Sequence, residues 1–117
     1  MSSADKINYV EFAAADLAAT KVFFNSAFGW DFTDYGPEYT AFSDQGLDGG
    51  FYQADLKARQ QQGSALLVFY SSDLEASQQR VIAAGGEILK AIYSFPGGRR
   101  FHFTEPSGNE FAVWSDK

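Results

Sequence analysis

Two glutamates and the only histidine of this 117-residue chain are the side chains best suited to proton transfer. Glu11 lies in an alternating segment near the N-terminus, and Glu110 begins another near the C-terminus. His102 lies between Phe101 and Phe103, and an unperturbed histidine titrates near neutral pH. Burial and neighbouring charges can bring a glutamate into the same range. We therefore treat Glu11, His102 and Glu110 as candidate catalytic residues.

Each candidate also has a structural alternative. His102 could be a structural or surface histidine, because no partner constellation is visible beside it in the sequence. Glu11 and Glu110 could meet in a cleft if both of their strand faces line it. Either glutamate could instead lie at the rim, in water or paired with Arg99 or Arg100. Those arginines could also hold an anionic ligand group or form a solvated hairpin tip.

Aromatic side chains at strand spacing could form a wall for a planar ligand. The set comprises Tyr9, Trp30, Tyr52 and Trp114. Aromatics at this spacing also fill protein cores, so a plain structural interpretation stands beside the functional one. Nucleophilic catalysis has less support, because the chain has no cysteine, no Gly-X-Ser-X-Gly motif, no phosphate-binding loop and no dinucleotide-binding glycine pattern.

Length and composition restrict the class of protein. A chain of 117 residues with 45% hydrophobic residues, 17% aromatic residues and twelve phenylalanines is typical of one well-filled domain rich in strands. A net charge of −6 without a long basic run disfavours nucleic-acid binding. No apolar run reaches the length of a membrane span, and residues 1–6 lack the apolar core of a signal peptide. Together with the absence of cysteine, this predicts a cytoplasmic protein.

Hydrophobic periodicity predicts an α+β fold. One helix begins after Asp16, which is suited to cap its first turn, and ends at Gly29. A second helix begins after Asp73 and ends at Gly85 and Gly86. Residues 93–98 are predicted to be a turn or loop. The predicted strands are 7–12, 30–35, 39–43, 49–53, 64–70, 87–92, 100–104 and 110–114.

The second half of the chain repeats the pattern of the first. Asp16 and Asp73 lie 57 positions apart, and the same offset matches Leu17 with Leu74 and Gly29 with Gly86. Similarity at one fixed spacing indicates duplicated units, here two tandem βαβββ modules. We predict a single domain over residues 1–117, made of module 1 at about 5–54, a polar connector at about 55–63 and module 2 at about 64–117.

With these segments in place, the chain resembles the vicinal oxygen chelate superfamily, which includes glyoxalase I, bleomycin-resistance proteins and extradiol dioxygenases. The resemblance implies two βαβββ modules that curve into an open, barrel-like cleft, and a homodimer. It also implies that metal-dependent members hold a divalent ion with His, Glu or Gln from the first and last strands of each module. The segments that carry it are Tyr9-Val10-Glu11-Phe12, Asp16-Leu17, Phe28-Gly29-Trp30, Asp73-Leu74-Glu75-Ala76, Ala84-Gly85-Gly86, Pro96-Gly97-Gly98-Arg99 and Pro106-Ser107-Gly108-Asn109-Glu110-Phe111.

The positions at which the resemblance places metal ligands lack ligating side chains. Three of them fall on Tyr9, Leu66 and Ala112. The fourth lies among residues 50–52, where the sequence leaves the strand register open. Apolar side chains cannot bind a dication, and tyrosine is a poor ligand unless deprotonated. We therefore expect no metal and no other cofactor.

These observations predict a glyoxalase-like or bleomycin-resistance-like protein that binds a small organic molecule without a metal. The expected ligand-binding residues are Tyr9, Glu11, Tyr52, Leu66, Glu110, Ala112 and Trp114. One alternative is a metal-dependent lyase, isomerase or dioxygenase that holds a divalent ion through Glu11, His102 or Glu110. The other alternative is an interaction module whose cleft is closed by side chains.

Overall fold

The structure, a computed structural model of the chain, describes residues 4–117. Residues 1–3 lie outside the described residues. They belong to the segment that we predicted to lack the apolar core of a signal peptide. The first half contains β1 (Tyr9–Ala14), α1 (Leu17–Phe28), β2 (Phe32–Asp34), β3 (Tyr39–Gln45) and β4 (Leu47–Gln53). The second half contains β5 (Leu67–Tyr70), α2 (Leu74–Ala83), β6 (Glu87–Phe95), β7 (Gly98–Thr104) and β8 (Glu110–Ser115). A short 3-10 helix, Gln60–Gln62, lies in the connector.

Each half forms one four-stranded mixed sheet. The strand order is β1-β4-β3-β2 in the first sheet and β5-β8-β7-β6 in the second. In both sheets the first strand is an edge strand that pairs in parallel with the last strand, and the remaining pairs are antiparallel. This matching topology confirms the predicted α+β class and the tandem βαβββ arrangement, and the sheets do not close into a barrel.

The helices begin at the predicted caps. The Asp16 carboxyl group accepts a hydrogen bond from the Ala19 amide at 3.0 Å, and Asp73 accepts one from the Ala76 amide at 3.2 Å. Both bonds satisfy backbone donors that a helix leaves free in its first turn. Gly29 ends α1 in the left-handed conformation with a φ of 73°, which glycine adopts without strain.

Helix α1 joins the two sheets into one core. The Phe24 ring stacks on Trp30 with centroids 4.5 Å apart. The same ring contacts Phe51 of the first sheet at 5.6 Å and Phe111 of the second at 5.3 Å. Each sheet turns an aromatic-rich side towards this helix. The opposite side of each sheet therefore faces away from this core.

Several predicted boundaries were wrong. Tyr93–Phe95 belongs to β6 and not to a loop, because two register shifts near Lys90 break the alternation by which a strand is recognised. Trp30 precedes β2 and is buried in the core. The structure starts β1 at Tyr9, leaving Ile7 exposed, and starts β5 at Leu67, three residues later than predicted.

The turn between β7 and β8 is fixed by buried hydrogen bonds. The Glu105 carboxyl group accepts one from the Thr20 hydroxyl at 2.7 Å, one from the Ser107 amide and two from Asn109. The Asn109 side chain also donates to the Ala13 carbonyl and accepts from the Ala58 amide, both at 2.8 Å. One turn therefore ties β1, α1 and the connector to the second sheet.

Replacing Asn109 by alanine tests this connection. Asn109→Ala leaves a buried amide, a buried carbonyl and part of a buried carboxyl group without partners, so we expect the free energy of unfolding to fall by about 2–4 kcal/mol. Urea unfolding measures the change. Gln61→Ala, at an exposed connector position, is the control, with an expected change within about 0.5 kcal/mol. Equal losses in the two variants would contradict the assigned role of Asn109.

Candidate functional site

The outward side of the first sheet carries a cluster of tyrosines. In β1 the side chains of Val10 and Phe12 point to the core, so Tyr9 and Glu11 point outwards. Strand pairing places Gly50 opposite Glu11, and Tyr52 opposite Tyr39. We call this outward surface the first-sheet face, with the members Tyr9, Glu11, Tyr39, Gly50 and Tyr52.

A chain of hydroxyl groups crosses the first-sheet face. The Tyr39 hydroxyl donates to Glu11 Oε2 at 2.9 Å, and the Tyr9 and Tyr39 hydroxyl oxygens lie 2.5 Å apart. Desolvation by burial, followed by the hydrogen bonds to Tyr9 and Glu11, raises the pKa of Tyr39 well above its ordinary value. Tyr39 therefore keeps its proton and donates it to Glu11, which leaves Tyr9 as the donor to Tyr39.

Gly50 is the fourth position to which the resemblance assigns a metal ligand. Gly50 lies opposite Glu11, as Ala112 lies opposite Val68, and Glu11 and Val68 are equivalent in the 57-residue repeat. A Cβ atom at Gly50 would overlap the Tyr39 hydroxyl group. Tyr39 therefore occupies the space that a side chain at position 50 would need.

The residues at the four positions do not fit a divalent metal ion. Leu66, Gly50 and Ala112 have no ligating atom, and the Tyr9 hydroxyl donates its hydrogen to Tyr39. A catalytic metal site generally needs three protein ligands and one open position. Within residues 4–117, moreover, no group of three or more Asp, Glu or His side chains is placed to hold a metal ion.

The outward side of the second sheet carries a different set of residues. The pairing of β6, β7 and β8 places Tyr93, Arg100 and Trp114 side by side, and His102 beside Ala112. Glu110 lies on the same side, as the alternation along β8 predicts. We call this surface the second-sheet face, with the members Tyr93, Arg100, His102, Glu110, Ala112 and Trp114.

His102 and Glu110 form a buried pair in the second-sheet face. His102 Nδ1 lies 2.8 Å from Glu110 Oε2, and the two side chains are 0% and 3% exposed. The second oxygen of Glu110 accepts a hydrogen bond from the Gln60 amide at 2.9 Å. His102 Nε2 lies 3.0 Å from the Tyr93 hydroxyl oxygen. The histidine therefore has the partner constellation that the sequence did not reveal.

Electrostatics set the protonation of this pair. Desolvation by burial lowers the pKa of His102, and the nearby Arg100 and Lys90 lower it further against the opposing hydrogen bond to Glu110. Burial alone would raise the pKa of Glu110, but the hydrogen bonds from His102 and the Gln60 amide bring it below its ordinary value. At neutral pH the pair is therefore a neutral imidazole beside an ionised carboxylate.

The structure separates several residues that the sequence suggested could act together. Glu11 is bonded to Tyr39 in the first sheet, whereas Glu110 is bonded to His102 in the second. The alternative that placed Glu110 at a solvated rim was wrong, because its side chain is buried. Arg99 pairs with Glu75 of α2 at 2.6 Å rather than with either candidate glutamate.

The predicted aromatic wall is only partly present. Trp30 is 5% exposed and packs between Phe24 and Phe42, so its assignment to the wall was wrong. Tyr9 and Tyr52 are 45% and 39% exposed on the first-sheet face. In the second-sheet face Trp114 is half-buried and contacts the neighbouring Tyr70 ring at 5.3 Å.

Sequence reasoning missed Tyr39 and Tyr93 as parts of the two faces. The adjacent glycines Gly49 and Gly50 were a usable signal for Tyr39, because glycine inside a strand often marks the close approach of another group. Tyr93 had no comparable signal, because the register shifts in β6 hide which side chains face outwards.

Two grooves lie beside β1, and one of them borders the first-sheet face. One has a volume of about 430 Å³ and runs between Glu11 and Tyr52 of the first-sheet face and Leu56, Gln62 and other connector residues. The other has a volume of about 450 Å³, lies between β1 and β5 and is lined mainly by apolar side chains. Both volumes are within the range of small-molecule sites.

The sequence and the fold identify the family of this chain. Residues 6–113 match the Glyoxalase/Bleomycin resistance protein/Dioxygenase superfamily, and the chain belongs to that family. It is similar to the anthracycline biosynthesis proteins DauV of Streptomyces sp. (strain C5) and DnrV of Streptomyces peucetius, each 30% identical over 91% of this chain. The chain spans 45% of the length of these two relatives.

Solved structures share the fold. A glyoxalase-related enzyme from Fulvimarina pelagi superposes with a TM-score of 0.79 at 19% identity, over 95% of this chain and 88% of the other. TnmS3, an antibiotic binding protein from Streptomyces sp. CB03234, superposes with a TM-score of 0.68 at 17% identity, over 98% of both chains. Neither α1 nor α2 is long and apolar enough to cross a membrane, and the same holds for every helix within residues 4–117.

The buried pair predicts a loss of stability in acid. The pKa of His102 in the folded chain lies below its ordinary value of 6.5, so below that pH the unfolded chain binds a proton that the folded chain does not. The lowered pKa of Glu110 acts in the same direction below 4.5. We therefore expect the free energy of unfolding to fall as the pH drops from 7 to 5.

His102→Asn is the informative variant, because its amide can still donate to Glu110 but does not titrate. Urea unfolding at several pH values should give a flatter profile for this variant than for the wild type between pH 7 and 5. Parallel profiles would show that His102 does not cause the pH dependence.

Proposed function

We propose that the first- and second-sheet faces border one cleft, and that the protein binds a planar aromatic small molecule there without a metal ion. The observation that carries this proposal is the replacement of metal ligands by a tyrosine cluster, in which the Tyr39 hydroxyl fills the place of a side chain at Gly50. Such a surface offers hydroxyl groups and ring faces but no cation site.

The chemistry of the outward side chains supports a planar ligand. Tyr9 and Tyr52 keep much of their ring surface exposed, and a tyrosine ring offers a large contact area at a small cost in conformational entropy. Leu66 and Trp114 supply half-buried apolar and aromatic surface on the other side of the proposed site, whereas Ala112 is buried. Glu11 and Glu110 supply negative charge, and the net charge of −6 favours a ligand that carries a positive group.

The relatives support the same class of ligand. The two curated relatives are described as anthracycline biosynthesis proteins, and TnmS3 is described as an antibiotic binding protein. An anthracycline contains a planar fused ring system, which suits stacking against tyrosine. It is therefore a reasonable first probe for this chain.

We also propose that the protein acts in the cytoplasm as a homodimer in which a second copy covers the edges of β1 and β5. The exposed side chains on these two edge strands are Tyr9, Val68 and Tyr70, and Ile7 is exposed just before β1. Exposed apolar edge strands favour association with another chain. A second copy in this place would also narrow the proposed ligand cleft.

An anthracycline titration tests the proposed ligand class. We expect saturable quenching of tryptophan fluorescence and a rise in melting temperature, both unchanged by a chelator. Tyr52→Ala should raise the Kd about tenfold, equivalent to about 1.4 kcal/mol, because a stacking surface is lost. Tyr35→Ala removes a 66% exposed tyrosine that is not a member of either face, and should leave the Kd unchanged.

A different result would favour the alternatives. Binding or heat protection that requires added zinc, nickel, iron or manganese would support the metal-dependent lyase, isomerase or dioxygenase. Equal effects of the two tyrosine variants would argue against the first-sheet face. No response to organic ligands or metals would favour an interaction module.

Light scattering after size-exclusion chromatography tests the proposed dimer. We expect about twice the mass of the 12.9 kDa chain. Val68→Lys places a charge on the edge of β5 and should shift the protein towards the monomer. Ile82→Lys changes a similarly exposed position on α2 and should leave the dimer intact. A wild-type monomer at high micromolar concentration would contradict the proposal.

A further inference from the structure

The Tyr93 hydroxyl group lies between a base and a cation in the second-sheet face. Its oxygen is 3.0 Å from His102 Nε2 and accepts a hydrogen bond from Arg100 Nε at 2.5 Å. The Arg100 guanidinium group also lies over the Tyr93 and Phe95 rings, at 5.6 and 5.8 Å from their centroids. The Nε atom is used in this contact, which leaves the terminal nitrogens of Arg100 as donors for a further group.

The direction of each hydrogen bond follows from the charges. Glu110 is ionised and can only accept, so His102 Nδ1 carries the hydrogen that faces it. In a neutral imidazole the other nitrogen, Nε2, is then an acceptor, and the Tyr93 hydroxyl must donate to it. Arg100 donates to the same hydroxyl oxygen. Tyr93, His102 and Glu110 are therefore arranged like a nucleophile, its base and the group that orients the base.

The side chains of this series become more exposed from Glu110 and His102 to Tyr93 and Arg100, as transfer of a proton from a ligand would require. Glu110 and His102 are buried, whereas Tyr93 is half-buried and Arg100 keeps partial exposure. Only the hydroxyl end of the series can therefore meet a ligand. In residues 4–117 no carboxylate pairs with Arg100, in contrast to Arg99 and its partner Glu75.

We propose that Tyr93 is a proton-relay residue for a ligand with an acidic phenol or enol hydroxyl group. The ligand O–H bond breaks and its proton goes to the Tyr93 oxygen, while the Tyr93 proton goes to His102 Nε2. The products are a ligand oxyanion next to Arg100 and an imidazolium group next to the Glu110 carboxylate, so charge and protons balance without a metal or redox partner.

The neighbouring charges make this transfer depend on the ligand. Arg100 on β7 and Lys90 on β6 disfavour a proton on His102, whereas Glu110 on β8 favours it. A ligand oxyanion beside Arg100 would offset the positive charge that His102 experiences. The proton would therefore move to His102 only when a suitable ligand is bound. This inference rests on the proposed function and narrows the ligand to a planar phenol or enol.

The first test uses 1,2-dihydroxyanthraquinone, a planar dye that absorbs at longer wavelength when its phenol ionises. Quenching of tryptophan fluorescence measures binding, and absorbance against pH measures ionisation of the bound dye. We expect the wild-type protein to lower the ionisation midpoint of the dye by at least one pH unit. In Tyr93→Phe and His102→Asn we expect the shift to disappear, because the Kd of the ionised dye rises about tenfold while the Kd of the neutral dye changes less than about threefold.

Tyr70→Phe is the matched control, because it removes another tyrosine hydroxyl from the same sheet, one bonded to Asp116 at 2.7 Å. This variant should retain the shift of the dye. Binding with an equal shift in the wild type, Tyr93→Phe and Tyr70→Phe would overturn the relay and leave the proposed function intact. Absence of binding would count against the proposed function for this dye, and a second test then addresses the relay alone.

The second test needs no ligand. An aryl sulfonyl fluoride labels an activated tyrosine: the phenol oxygen forms a bond to sulfur, fluoride leaves, and the phenol proton goes to the base. Peptide mass spectrometry should show Tyr93 labelled at least tenfold faster than the more exposed Tyr35, and at least tenfold slower in His102→Asn than in the wild type. Labelling of Tyr93 no faster than Tyr35 would overturn the proposal.

Discussion

The buried carboxyl group of Glu105 is the contact on which the rest of the structure depends. Burying such a group is costly unless protein donors replace water, and here four hydrogen bonds do so. One comes from Thr20 of α1, and the others hold the turn that leads into β8. Through Asn109 the same network holds Ala13 and the connector. The connector then places the Gln60 amide against Glu110. This hydrogen bond helps to lower the pKa of Glu110, which therefore depends in part on the turn.

The two halves keep one topology but differ in what they present outwards. The repeat equivalents of Tyr9 and Glu11 in β1 are Leu66, which directly precedes β5, and Val68 of β5. The first sheet carries hydroxyl groups on β1, β3 and β4, and Tyr9 and Tyr52 are partly exposed to solvent. The second sheet carries an apolar edge and keeps its polar groups on β6, β7 and β8. The two faces therefore present two different chemistries.

The sequence predicted the features that depend on local chemistry. Asp16 and Gly29 marked the ends of α1, and the alternation along β8 placed Glu110 and Ala112 on one side, as the structure confirms. The hydrogen bonds of His102 to Glu110 and Tyr93 depend on strand register, and local sequence patterns could not predict them. Tyr93 reaches the histidine across a strand pair whose two register shifts leave no regular pattern. Tyr39 replaces a side chain at Gly50 from a neighbouring strand, and only the pairing reveals it.

Two features of the chain are connected by electrostatics: the lack of ligating atoms at Leu66, Gly50 and Ala112, and the position of Arg100 in the second-sheet face. A divalent ion supplies positive charge that holds an oxyanion, and a site without one needs another source. In the proposed site Arg100 would be that source, because its Nε–H is directed at the Tyr93 oxygen and its flat side lies on aromatic rings. A guanidinium group binds planar oxyanions well and does not lose its charge at physiological pH. Under the proposed relay, protein groups alone would hold an anionic oxygen atom in this fold, with His102 neutral until the ligand binds.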